Sequence, residues 1–116
     1  MDIKIIKNSI TKEELKHIAS ERFGELVKVV VDTKQGIMAV GGELHADEEI
    51  LLVEQEGSKR EDTWGINLYP DRVGDDFIEY DSMINLKPAF GNRTRKVDNL
   101  EIGEQIRKIV EKLIIE

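Results

Sequence analysis

The residues best suited to chemistry form one short basic run. Lys87, Arg93, Arg95 and Lys96 lie within ten positions, and residues 82–97 contain no acid. Gly91 and Asn92 tolerate left-handed backbone angles, and turns built on such residues can aim consecutive N–H groups at an anion. Arginine forks match the oxygens of phosphate and carboxylate, while Asn92 and Thr94 add neutral hydrogen bonds. Lys87, Asn92, Arg93, Thr94, Arg95 and Lys96 are therefore the candidate ligand-binding set. A phosphate, a nucleotide, a nucleic-acid backbone or an acidic protein partner would suit it. The competing reading pairs the arginines with the protein's own carboxylates. Exposed pairs contribute only about 0–1 kcal/mol each, so stability alone accounts poorly for the cluster.

A second set surrounds His45, with Asp47, Glu48 and Glu49 close behind it. Imidazole and carboxylates together could hold a divalent metal. In an extended segment His45 and Asp47 would point to one side. A carboxylate from Asp75, Asp76, Glu79 or Asp81 could complete such a site if the fold brought it near. The arginines would then stabilise developing phosphate charge, giving a metal-dependent hydrolase or nuclease. The simpler reading is a solvated turn in which Asp47 caps a helix. No standard metal motif, serine elbow, P-loop or dinucleotide fingerprint is present. Outside the metal reading, no cofactor is expected.

Asn67, Asn85, Ser82 and Asp81 form a third set, near Trp64 and Tyr69. Asparagine is disfavoured inside strand-like runs and usually stays there for a specific hydrogen bond. These side chains either line a cleft beside the basic run or tie the turns at Pro70 and Pro88 to a sheet.

Composition limits the alternatives. The 116 residues include no cysteine, so thiol catalysis, disulfides and thiolate metal sites are excluded. The formal net charge of −7 argues against a general nucleic-acid binder. Residues 43–81 hold thirteen acids and three bases, so the basic run is an island in an acidic chain. The N-terminus has no signal-peptide pattern, and no apolar run approaches the ~20 residues of a membrane span. The expectation is one cytoplasmic domain over residues 1–116, with no membrane partner.

The elements that must position these residues are well punctuated. Ile3, Ile5 and Ile6 read as a strand. Thr11 with Glu14 forms a capping box, Ile10 with Leu15 a hydrophobic staple, and Gly24 a stop for the first helix. Residues 26–31 and 37–40 read as a hairpin around a turn at 32–36. The apolar run Ile50–Val53 reads as a strand buried on both faces, although periodicity leaves a buried helix open. Residues 63–69 read as a strand, and 77–86 as a long or bent one with a kink near Met83 and Ile84. A last helix starts with Asp98 as cap, Glu101 as its box partner and Val97 with Ile102 as staple. It runs to the chain end, with Gly103 inside it costing ~1 kcal/mol against alanine.

Four segments carry a resemblance: residues 38–49 (MAVGGELHADEE), 64–70 (WGINLYP), 81–85 (DSMIN) and 91–95 (GNRTR). Together they resemble a family of small bacterial proteins known only as a domain of unknown function. The resemblance spans nearly the whole chain. It implies a complete protein of bacterial type and transfers no catalytic residue.

The expected architecture is α+β: a mostly antiparallel sheet of five or six strands with two amphipathic helices packed on one face. The favoured function is a non-enzymatic binding module using the loop Gly91–Lys96. The alternative is the hydrolase built on His45 and Asp47. Whether the basic loop and the His45 turn share one cleft decides between them.

Overall fold

The computed structural model describes residues 2–116. In chain order the elements are β1 (Lys4–Ile6), β2 (Ile10–Thr11), α1 (Lys12–Glu21), β3 (Val27–Asp32), β4 (Ile37–Val40), α2 (His45–Glu56), β5 (Thr63–Leu68), β6 (Ile78–Glu79), α3 (Leu100–Leu113) and β7 (Ile114–Ile115). Five strands make one antiparallel sheet in the order β1-β4-β3-β5-β6. The α+β class and the antiparallel sheet agree with the sequence reading.

Strand alternation divides the core into two layers. Val27, Val29, Val31, Met38, Val40, Trp64, Ile66 and Leu68 point to one side. There they meet Leu15 and Ala19 of α1 and Ile106, Val110 and Leu113 of α3. Val30, Ile37 and Ala39 point to the other side, where Leu52 of α2 and Ile84 cover them. The two expected helices, α1 and α3, thus share one face of the sheet, and α2 adds a third helix on the other face.

The extra helix comes from the segment read as a strand. Residues 45–56 are helical, and only Leu52 of the apolar run is fully buried; Ile50 and Val53 are exposed. Asp47 and Glu48 fall in the first turn, where carboxylates favour a helix N-terminus. Gly57 ends the helix with φ +68°, a left-handed angle suited to glycine, and its N–H donates to Leu52 O. These end signals outweigh the continuous apolar run.

Three smaller readings also change. Between 77 and 86 only Ile78–Glu79 is strand, and the chain then enters a single 3-10 turn, Met83–Asn85. α3 stops at Leu113, and Ile114–Ile115 pairs in parallel with Ile10–Thr11. The cap of α3 is Asn99, whose Oδ1 accepts from the N–H groups of Glu101 and Ile102. The first helix matches its signals: Thr11 and Glu14 form the capping box, and Ile10 and Leu15 are both buried.

Candidate functional site

The basic loop is held by two side chains that bear no positive charge. The Asn92 amide is buried and donates to the carbonyls of Asn85 (2.8 Å), Thr94 (3.1 Å) and Lys96 (2.6 Å). Its Oδ1 accepts from the Asp98 N–H at 2.8 Å. Asp98 then turns back into the loop. Its carboxylate accepts from the Thr94 hydroxyl at 2.6 Å and from the Arg93 N–H at 2.9 Å. Those bonds, the Thr94 one first, hold the carboxyl below its ordinary range. Gly91 supplies the left-handed turn, with φ +86°. The anion position expected of this turn is thus occupied by the chain's own Asp98.

The six candidate residues separate into two groups. Lys87 and Asn92 are buried. The Lys87 ammonium donates to the carbonyls of Arg60 and Thr63 and lies 3.9 Å from the centre of the Trp64 ring. Burial pushes its pKa down to about 8, and Glu49 opposes the shift. Lys87 is therefore a structural tie, which corrects its inclusion among solvent-facing ligand donors. Arg93, Thr94, Arg95 and Lys96 are exposed. Arg95 Nε lies 2.9 Å from Asp81 Oδ1. Among the described residues, the Arg93 guanidinium and the Lys96 ammonium have no side-chain partner.

His45 sits elsewhere, as the first residue of α2, and is only 7% exposed. Its Nε2 is 2.7 Å from Ile66 O. A carbonyl can only accept, so Nε2 carries the proton. Burial lowers the imidazole pKa to about 4, with Lys28 adding to the shift and the Ile66 carbonyl opposing it. Asp47 is exposed. On a helix, residues two apart diverge by about 200°, so the alignment expected of an extended segment is lost. The other carboxylates are also dispersed. Asp75 and Asp76 lie in an exposed 3-10 turn, Glu79 accepts from Asn67 and Tyr69, and Asp81 faces Arg95. Among the described residues no group of three His, Asp or Glu side chains is arranged to hold a metal. The expected ligand pair His45 and Asp47 does not come together.

Neither of the two grooves described beside the basic loop includes His45 or Asp47. A shallow groove beside the loop is lined by Glu79, Tyr80, Asp81, Thr94, Arg95 and Lys96, without His45 or Asp47. What lies between is a packed polar layer. The Ser82 N–H donates to Arg95 O, and Ser82 sits against Gly65, where a Cβ would lie 2.5 Å from its side chain and 3.2 Å from the His45 ring. Asn85 bonds both backbone groups of Gly65 and also donates to Arg95 O. Of the two roles open to the asparagines, Asn85 takes the tie and Asn67 anchors Glu79.

The sequence reading missed two features. Glu48 is fully buried; its Oε2 accepts from the Gly42 N–H at 2.9 Å, and burial raises its pKa well above the ordinary carboxyl value. The second is an apolar groove beside the loop, lined by Tyr80, Lys96, Val97, Leu100, Gly103 and Glu104. Its only sequence signals are a glycine inside a helix and a leucine off the buried stripe.

A family model described as "Protein of unknown function (DUF5674)" matches residues 4–113. The chain belongs to that family. No curated protein and no solved structure matches it. No helix among the described residues is long and apolar enough to cross a membrane.

Proposed function

We propose that this protein is a non-enzymatic binding module whose loop, Arg93 to Lys96, recognises an anionic group on a partner. One observation carries the reading. Among the described residues Arg93 and Lys96 are exposed and without a side-chain partner, in a chain of net charge −7 where carboxylates to pair with are plentiful. The loop that presents them is fixed from beneath by Asn92 and Asp98. A preformed loop loses little further freedom on binding, which favours affinity.

The same geometry narrows the mode of recognition. With Asp98 on the Arg93 N–H, the anion would be met by side chains at the surface and not by an enclosed backbone turn. Only Arg93, Arg95 and Lys96 are available as cations, because Lys87 is buried. On duplex DNA, three contacts would give a log–log salt slope of roughly −3.

The test is a titration of the labelled protein with inorganic phosphate, a DNA duplex and polyglutamate at several salt concentrations, followed by amide chemical shifts. The expected result is salt-sensitive shifts at residues 93–96 with at least one of the three. Combined Arg93→Ala, Arg95→Ala and Lys96→Ala should weaken that binding at least tenfold. Equal binding by the triple variant would overturn the proposal.

A further inference from the structure

α2 is turned against the usual sense of an amphipathic helix. Its inward face carries His45, Glu48, Glu49 and Leu52, all buried, while Ile50 is 53% and Val53 43% exposed. Polar side chains thus dominate the buried face, and two branched aliphatic ones face water. Exposed in this way, Ile50 and Val53 add little to the core. Ala46, Ile50, Val53 and Gly57 are all exposed and follow one another at intervals of four, three and four residues. That spacing aligns them as one ridge, and it is the spacing of the seam between two paired helices.

Both flanks of the ridge are acidic. By helical geometry Asp47 and Glu54 run along one side, and Glu49 and Glu56 along the other, each pair one heptad apart. Glu49 pairs with Arg60 at 3.0 Å and Glu56 with Lys7 at 2.9 Å. Asp47 and Glu54 are exposed, and among the described residues neither carboxylate has a partner. The helix itself holds no lysine or arginine. Past its end, the groove beside Gly57 sets Glu61 and Asp62 against Lys34 and Lys59, which adds no surplus of positive charge. Glu54 stands in the last turn, where a carboxylate opposes the helix dipole, so helix stability does not account for it.

These charges choose among the occupants of the ridge. A second copy of α2 would bring carboxylates against carboxylates whether the two ridges ran parallel or antiparallel, because every flanking position is acidic. A nucleic acid or an anionic lipid surface would meet the same repulsion. A helix with an apolar ridge and lysine or arginine on its flanks matches both features. We infer that the outward face of α2 docks a basic amphipathic helix of a partner protein, its apolar ridge on Ile50 and Val53 and its cations beside Asp47 and Glu54. This surface shares no residue with the loop at 93–96 and is independent of the anion-binding reading.

The experiment is fluorescence anisotropy with three labelled helical peptides. The first has leucines at the ridge spacing and lysines on both flanks. The second keeps the lysines and has alanines for the leucines. The third keeps the leucines and has glutamates for the lysines. The first should bind roughly tenfold more tightly than the second, the gain expected for two partly buried leucines. The third should not bind. Ile50→Gln plus Val53→Gln should erase the difference between the first two. Both side chains face solvent, so the amide spectrum away from α2 should stay unchanged. Asp47→Asn plus Glu54→Gln should weaken binding of the first peptide and lower its salt dependence. Asp75→Asn plus Asp76→Asn, an equal change of charge at another exposed place, should leave binding as it was.

Equal binding of the first two peptides, or no binding of the first, would overturn the apolar ridge as a docking surface. Equal weakening by the two charge variants would reduce the attraction to net charge and overturn the assignment to α2. A glutamate peptide that binds as tightly as the lysine peptide would overturn the basic partner. Self-association of the free chain, seen in sedimentation and abolished by Ile50→Gln plus Val53→Gln, would make a second copy the occupant and overturn the inference as well.

Discussion

Asn85 completes the backbone pairing of Gly65: its Oδ1 accepts from the Gly65 N–H at 2.8 Å, and its Nδ2 donates to the Gly65 carbonyl at 2.9 Å. The side chain thus does the work of a neighbouring strand where β6 does not reach, since β6 pairs only with Asn67 and Leu68. Asn85→Ala would leave both groups of Gly65 buried and unpaired, together with one bond to Arg95 O. The expected loss is about 2–4 kcal/mol. Urea unfolding should show a lower midpoint at unchanged slope. A shift within measurement error would mean that water replaces the amide.

Gly65 also has a steric requirement. A Cβ there would stand 2.5 Å from both Cβ and Oγ of Ser82. Gly65→Ala should cost about 1–3 kcal/mol, as other overpacked sites do. Adding Ser82→Gly should recover part of that loss, a non-additive result expected of touching residues. Additive losses in the double variant would show that the clash is relieved elsewhere.

His45 makes stability depend on acid. Its pKa falls from 6.5 to about 4 on folding, chiefly through burial. The unfolded chain therefore binds the proton more readily between those values. Stability from this group is fully present above 6.5 and is lost as pH falls through about 4, by roughly 2–3 kcal/mol. The difference in stability between the wild type and His45→Gln, followed from pH 7.5 to 4, should shrink as pH falls. A constant difference would show that His45 has an ordinary pKa in the fold.

Glu48 acts with the opposite sign. Burial raises its pKa well above 4.5, so folding favours the neutral carboxyl. Its contribution is fully present below 4.5 and is lost as pH rises through the folded value. Glu48→Gln stays neutral and retains an oxygen for the Gly42 N–H. The variant should match the wild type near pH 4 and become the more stable of the two at pH 8. Thermal unfolding at the two pH values measures this directly; a wild type that stays level with the variant at pH 8 would mean that the carboxylate is solvated there.

The Asp98 carboxylate accepts from the Arg93 N–H and the Thr94 hydroxyl, the groups proposed above to lie beside an anion. Asp98→Ala removes a negative charge and frees the Arg93 N–H and the Thr94 hydroxyl. Inorganic phosphate should then shift the Arg93 amide at several-fold lower concentration than in the wild type. No gain in phosphate response would show that the loop reshapes once Asp98 is gone.

Much of the scaffold was legible in the sequence because its signals are local. The Thr11–Glu14 box, the Ile10–Leu15 staple and the valine-rich hairpin depend on residues a few positions apart, and the structure contains all of them. Where two local signals competed, residue type and spacing did not rank them. The apolar run at 50–53 fits a strand or a helix, and the acidic first turn with the Gly57 stop favoured the helix. Asp98 and Asn99 are both good caps. Asp98 instead bonds the loop at Arg93 and Thr94, so the cap passed to Asn99.

The composition and position of the basic run were fixed by the chain itself, as was the absence of thiol chemistry. Which cations face solvent was a tertiary outcome. Lys87 is adjacent in sequence to the exposed loop, yet its ammonium turns inward to carbonyls of residues 60 and 63, which no nearby residue could announce. His45 and Asp47 are two positions apart in any conformation, but the helix directs one to the core and the other to water. The groove at Leu100 and Gly103 likewise exists only because Tyr80, more than twenty residues earlier in the chain, is packed against α3. Side-chain direction and long-range contact decide such matters, and neither is encoded in residue type or spacing.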